Sequence, residues 1–237
     1  MPPTDLAGWL TWADPERGVV ARTLEHLQYT GLAVALACLV ALPLGLLLGH
    51  TGRGGVLAVG LSNAGRAVPT LGVIVLLAIS PLGQTTTAVV LALALFAVPP
   101  VLTNTYVGIR EVDPEAVEAA RGMGMGPVQQ LVRVELPLAF PLIAAGLRTA
   151  VLQVLATAIL AAAIGLGGLG RYLIDGLGAQ DYPQVRAGAL LVAGLAFAVE
   201  LLLAALQRLV DPTARAARSA GVVAASQPAA EGLRERV

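Results

Sequence analysis

Five apolar runs, each about as long as a bilayer's hydrocarbon core is thick, constrain this chain more than any other feature. Crossing such a core takes about 20 mostly apolar residues per helix. Thr30 to Gly49 supplies that length without a charge. Ala67 to Ile109 contains 43 uncharged residues, interrupted by the turn-like Ser80-Pro81-Leu82-Gly83-Gln84, and reads as parts of two spans joined by a tight loop. Thr149 to Gly170 adds 22 more uncharged residues, and Ala187 to Gln207 holds a single acid, Glu200. The pattern predicts five spans, at roughly 30–49, 55–79, 86–107, 149–170 and 187–207. A soluble bundle built from these runs would present no polar face to water. The expected fold class is all-α and polytopic.

Composition agrees and excludes several functions. Charged residues are 13% of the chain, against about 25% in soluble proteins. Fifteen basic and 15 acidic residues cancel, so no overall field favours nucleic acid. Every basic residue is arginine, and without lysine no phosphate-binding GxxxxGK[ST] loop can exist in the chain. Cys38 has no second cysteine to pair with, and His26 and His50 lie near opposite ends of the first apolar run, so no metal site is expected. The first 25 residues show no short apolar core followed by a small-residue cleavage site, so no cleaved leader is expected.

Five spans put the termini on opposite sides, and arginine distribution selects the orientation. Arg53, Arg110, Arg121, Arg133 and the tail arginines fall on one face, against Arg17, Arg22, Arg171 and Arg186 on the other. The amino terminus is then outside and the carboxyl terminus cytoplasmic. The expected organisation is an external segment 1–25, a transmembrane unit 26–211, and a tail 212–237 rich in Ala, Arg and Gly, expected to be disordered.

The longest charged interval inside the chain, 109–137, has the punctuation of a built object. Asp113-Pro114 is an N-cap with proline at the first helical position, Glu115 and Glu118 suit the positive end of the helix dipole, and Gly122 and Gly124 end the helix. Gly126-Pro127 starts a second short helix through Glu135, which Pro137 is expected to terminate. With Ala116, Ala119 and Ala120 beside the glycines, the two helices form a small-residue knuckle rimmed by Glu and Arg, suited to docking in another protein's groove.

Glu118-Ala119-Ala120, Gly124, Val134 and Leu136-Pro137, at the spacing seen here, resemble the EAA loop of permease subunits of bacterial ABC importers, with Val134 where isoleucine is usual. The likeness extends from about Ser62 to Asp211 and includes Asn104-Thr105-Tyr106-Val107-Gly108-Ile109 and Ile164-Gly165-Leu166-Gly167-Gly168-Leu169-Gly170, which look like the osmoprotectant subgroup. The resemblance implies a MetI-like permease fold in the bacterial cell membrane. It also implies an ATPase-coupling role for Glu118, Ala119, Ala120, Gly122, Gly124, Val134, Leu136 and Pro137. Implied partners are a cytoplasmic ATPase dimer that holds ATP and Mg, a second permease subunit of the same or a related chain, and an external substrate-binding protein. The chain itself would bind no cofactor and catalyse nothing. Glycine betaine, choline or other quaternary ammonium compounds are the implied cargo; an amino acid such as methionine, or another small polar solute, is the alternative.

Polar residues and helix breakers within the spans mark the expected pathway or gate: Arg66, Pro69, Thr70, Asn104, Gly165, Gly167 and Gly168. Arg66 sits roughly 16 Å into its span at 1.5 Å per residue, where a charge faces a cavity or a partner such as Glu200. Glu200 is otherwise expected to snorkel. Pro69, Pro99 and Pro100 are expected to break their helices. The glycine run is not a dinucleotide loop, since no strand precedes it. An autonomous carrier would commonly show two inverted halves, and a membrane enzyme would need a catalytic constellation at depth; neither pattern is present.

Overall fold

Why long helices form here follows from the alternatives. In hydrocarbon every backbone N–H and C=O must be satisfied within the segment, and a helix does this without an edge. The computed structural model describes residues 2–55, 60, 65 and 68–210. In chain order the helices are α1 (Leu6–Thr11), α2 (Val19–Thr51), α3 (Thr70–Ala78), α4 (Thr86–Arg110), α5 (Pro114–Gly122) and α6 (Pro127–Gln130). A π-helical turn (Leu131–Glu135) leads into α7 (Leu136–Thr157), then a 3₁₀ segment (Ala158–Ile164), α8 (Gly170–Ala179) and α9 (Tyr182–Val210). Among the described residues, four helical stretches are long and apolar enough to cross a membrane: Val19–Thr51, Thr86–Arg110, Pro127–Ile164 and Tyr182–Leu209. Of the expected second span, α3 is described, while Ser62 and Arg66 lie outside the described residues, as does the tail from Asp211.

The core is the packing of α2 and α7 against α4 and against each other. Along α2 the buried positions Ala33, Ala37, Ala41, Gly45 and Gly49 recur every fourth residue, which places them in one row on one face. A Cβ on Gly45 would stand 2.7 Å from the Cβ of Thr105, and one on Gly49 2.7 Å from that of Ile109. Small residues here let the two backbones approach closely, as packing between membrane helices requires. Gly146 of α7 does the same against α4, where a Cβ would lie 2.8 Å from the Pro100 carbonyl oxygen.

Three expectations about helix limits are corrected. First, α4 runs unbroken through Pro99 and Pro100. Pro100 has no N–H for the Phe96 carbonyl four residues back, and Gln153 Nε2 of α7 donates to that carbonyl at 3.3 Å instead. Second, Pro137 does not end the helix that precedes it. The Leu136 N–H reaches the Leu131 carbonyl in the wider i→i−5 pattern, and this π-turn absorbs the missing donor of Pro137, so the helix of the fourth crossing is continuous from Pro127 instead of starting near Thr149. Third, α2 begins at Val19, drawing Arg22, Glu25 and His26 into the first span's helix. Pro69 does precede a helix start, capping α3.

At the other end of the bundle α1 lies against α8 and α9. Trp9 packs edge-on to Trp12 and Tyr172, with ring centroids 5.0 and 5.5 Å away, and its indole N–H donates to Asp181 Oδ2 at 3.2 Å. Burial pushes the Tyr172 hydroxyl up to about 12. Asp14 accepts from the backbone N–H groups of Arg17 and Glu16 at 2.8 and 2.9 Å, and these bonds hold its carboxyl below the usual range.

Candidate coupling site

Local chemistry shapes residues 112–137 into a hairpin at the end of α4. Asp113 caps α5, accepting from the Glu115 N–H at 2.9 Å, with Pro114 at the helix start. The helix ends when Gly124 turns left-handed, φ +80°. Its N–H donates to the Arg121 carbonyl at 3.0 Å and that of Met125 to the Ala120 carbonyl at 3.2 Å, the paired bonds of a Schellman ending. Buried Gln130 of α6 donates back to the Met125 carbonyl at 2.8 Å, closing the turn. The hairpin's inner side, with Val112, Val117 and Leu131, packs with Ile109 and Leu46 beneath it.

The eight residues expected to couple divide into two groups. Glu118, Ala119, Gly122 and Gly124 are exposed, and a Cβ on Gly122 or Gly124 would meet nothing within 4 Å. Met123, Val128 and Val132 stand out beside them at 71%, 75% and 55% exposure, apolar side chains whose position the spacing alone did not reveal. Ala120 is buried, and Val134, Leu136 and Pro137 are half-buried where the hairpin joins α7. The first group offers a surface; the second fixes it to the span.

Behind the hairpin lies a cleft of about 600 Å³ whose walls include His50, Arg110, Glu118, Arg121 and Glu135. Glu135, in the π-turn, is buried. Both its carboxylate oxygens lie near His50 Nδ1 of α2, at 2.8 and 3.0 Å. The cleft holds charges of both signs. Among the described residues no group of three or more His, Cys, Asp or Glu is arranged to hold a metal ion.

The expected gate residues are dispersed. Asn104 turns inward along its own helix, donating to the Pro100 carbonyl at 2.8 Å. Thr70 starts α3. Gly165, Gly167 and Gly168 form a loop at the far end of the bundle, with Gly165 and Gly168 left-handed at φ +85° and +86°. Glu25 of α2 closes on this loop: its carboxylate accepts from the Gly168 N–H at 2.7 Å and pairs with Arg22 at 2.9 Å. Arg66 lies outside the described residues, and Glu200 does not extend alone toward the membrane surface. It pairs with Arg148 of α7, whose Nε donates at 2.8 Å. The span expected from Thr149 began one residue too late to include this arginine.

This assembly of spanning helices and one capped, exposed hairpin has known counterparts. Residues 41–216 match the model of the binding-protein-dependent transport system inner membrane component. The chain belongs to that family. Among curated members of this inner-membrane family, the choline transport system permease protein OpuBB of Bacillus subtilis is 38% identical over 81% of this chain and 88% of its own length. The glycine betaine/carnitine/choline transport system permease protein OpuCB of the same organism is 37% identical over the same shares. The carnitine transport permease protein OpuCB of Listeria monocytogenes is 36% identical over 86% of this chain and 93% of its own. The fold is similar to that of a solved inward-facing MetNI methionine ABC transporter, with TM-score 0.69 and 22% identity over 81% of this chain and 95% of that one.

Proposed function

We propose that this permease carries quaternary ammonium osmoprotectants, of the choline, glycine betaine and carnitine class, inward across a bacterial cell membrane. The supporting observation is that relatives bearing those substrates' names match the chain at 36–38% identity over at least 81% of its length. Two permease subunits surround one pathway, and the second is either a copy of this chain or a relative. The exposed face of α5 and α6, with Glu118, Ala119, Gly122 and Gly124, docks on a cytoplasmic ATPase dimer that binds ATP and Mg and does the hydrolysis. Closure of that dimer moves the hairpin and, through its continuous helix, α7. An external binding protein delivers substrate at the face of the Gly165–Gly170 loop, so the amino terminus is outside and the carboxyl terminus cytoplasmic.

The hairpin's continuity with α7 supports this order of events, since a rigid helix carries a displacement along its length while a flexible linker absorbs it. The test is uptake of labelled choline and glycine betaine into proteoliposomes holding the complete complex, with and without ATP. ATP-dependent uptake of either compound is expected. ATP-dependent uptake of an amino acid with none of these compounds overturns the substrate class and leaves the coupling role. Uptake that needs no ATPase subunit overturns both.

A further inference from the structure

Helix α2 is not part of the hairpin, yet polar side chains bond it to a functional element at each end. It runs 33 residues, about 50 Å at 1.5 Å per residue. At one end His50 Nδ1 meets the carboxylate of Glu135 at 2.8 Å, in the π-turn through which the hairpin becomes α7. At the other, about 38 Å away along the helix, Glu25 accepts from the Gly168 N–H at 2.7 Å. Beside it the fully buried His26 joins its Nε2 to the Leu155 carbonyl oxygen at 2.9 Å.

Between these ends the contact with α4 is of a different kind. The Ala33, Ala37, Ala41, Gly45 and Gly49 row offers methyl groups and bare backbone, and the side chains of Thr105 and Ile109 on α4 seat over Gly45 and Gly49. Packed helices move past one another by small sliding steps, so a seam of this kind admits small shifts of α2. Among the described residues, the side-chain hydrogen bonds that α2 makes to other elements, from Glu25, His26 and His50, lie toward its two ends. Pro43 lies within the helix without ending it.

We propose that α2 is a connecting rod that carries movement of the coupling hairpin to the Gly165–Gly170 loop, with His50, Glu135 and Glu25 as its positioning residues. The inference rests on the coupling reading above. A pull on the π-turn is transmitted through Glu135 to His50 and along α2. It shifts Glu25, which releases or seats the Gly168 amide and so sets the loop that the binding protein faces.

The experiment is a double-mutant cycle in the reconstituted complex, scored as substrate taken up per ATP hydrolysed. ATP-dependent uptake by the unmodified complex is measured first, so failure of the coupling reading shows there and not in the variants. His50→Ala and Glu25→Ala are each expected to lower uptake per ATP about tenfold, the effect of losing a hydrogen bond to a charged group. The double variant is expected to fall no further. Residues this far apart normally act independently, so a product of the two losses, about hundredfold, overturns the proposal. So does unchanged uptake per ATP in His50→Ala. His50→Gln, which keeps a donor, is expected to retain most of the coupling, and equal loss in it and in His50→Ala counts against the rod. If His50→Ala does not assemble, Glu135→Gln takes its place in the cycle.

Discussion

Two glycine-rich segments, Gly122 to Gly126 in the hairpin and Gly165 to Gly170 at the far end of the bundle, look alike as sequence and are opposites as structure. In the first, side chains placed on Gly122, Gly124 or Gly126 would enter open space. In the second, a Cβ on Gly167 would overlap the carboxylate of Glu25, and one on Gly170 the carbonyl of Ile159. The hairpin glycines keep a surface low so that something outside the chain can approach. In the loop Gly167 and Gly170 make room for neighbours already present, while Gly165 and Gly168, like Gly124, supply left-handed turns. Glycine content alone therefore says that close approach occurs, and only the surroundings say by whom.

Substitutions at matched positions can break that contrast. Gly170→Ala sets a methyl against backbone that cannot rotate away. It is expected to destabilise by about 3 kcal/mol and to show as a large loss of detergent-stable complex in thermal unfolding. Gly124→Asp and Glu118→Lys change the exposed face, one by bulk at a left-handed residue and the other by inverting a charge. Both are expected to insert at normal yield and to lose about tenfold or more in uptake, equivalent to about 1.4 kcal/mol of coupling per factor of ten. Equal uptake at equal expression removes the hairpin from the coupling role.

Gly167→Ala meets a side chain that can move, so a smaller effect is expected. Displacing Glu25 from the Gly168 amide should lower stability by about 1 kcal/mol, read as a modest drop in thermal midpoint. Gly122→Ala is the mildest. It adds a methyl in open space at a helical position, and stability is expected to stay within about 0.5 kcal/mol. Its uptake then separates bulk at the docking face from any effect on folding. A loss of stability at Gly122 comparable to that at Gly170 would erase the distinction between the two segments.

The parts of the molecule that were legible in advance are those whose signal is local. Uncharged runs announced the spans, and Asp113-Pro114 with the later glycines announced α5 and its ending, because caps and turns are made by residues three to five apart. The same locality explains the errors. Pro137 reads as a terminator, since nothing in the pattern signals the π-turn that accommodates it. Pro99 and Pro100 read as breaks because the donor that rescues the Phe96 carbonyl is Gln153, on another helix. Trp9 and Trp12 gather with Tyr172, far along the chain, into one cluster, which no periodicity could indicate.

By itself the sequence determined that this chain is a bundle of membrane helices with one capped hairpin between the third and fourth expected crossings. The physical reason is that hydrocarbon admits only internally bonded backbone, and that capping chemistry is written in neighbouring residues. Tertiary structure alone decided which polar groups meet: His50 with Glu135, Glu25 with Gly168 and Arg148 with Glu200. Those partners are 85, 143 and 52 residues apart, and a charge or histidine inside a membrane helix states only that a partner is needed. Packing of small-residue faces sets which helices lie side by side, and with that which partner each group finds.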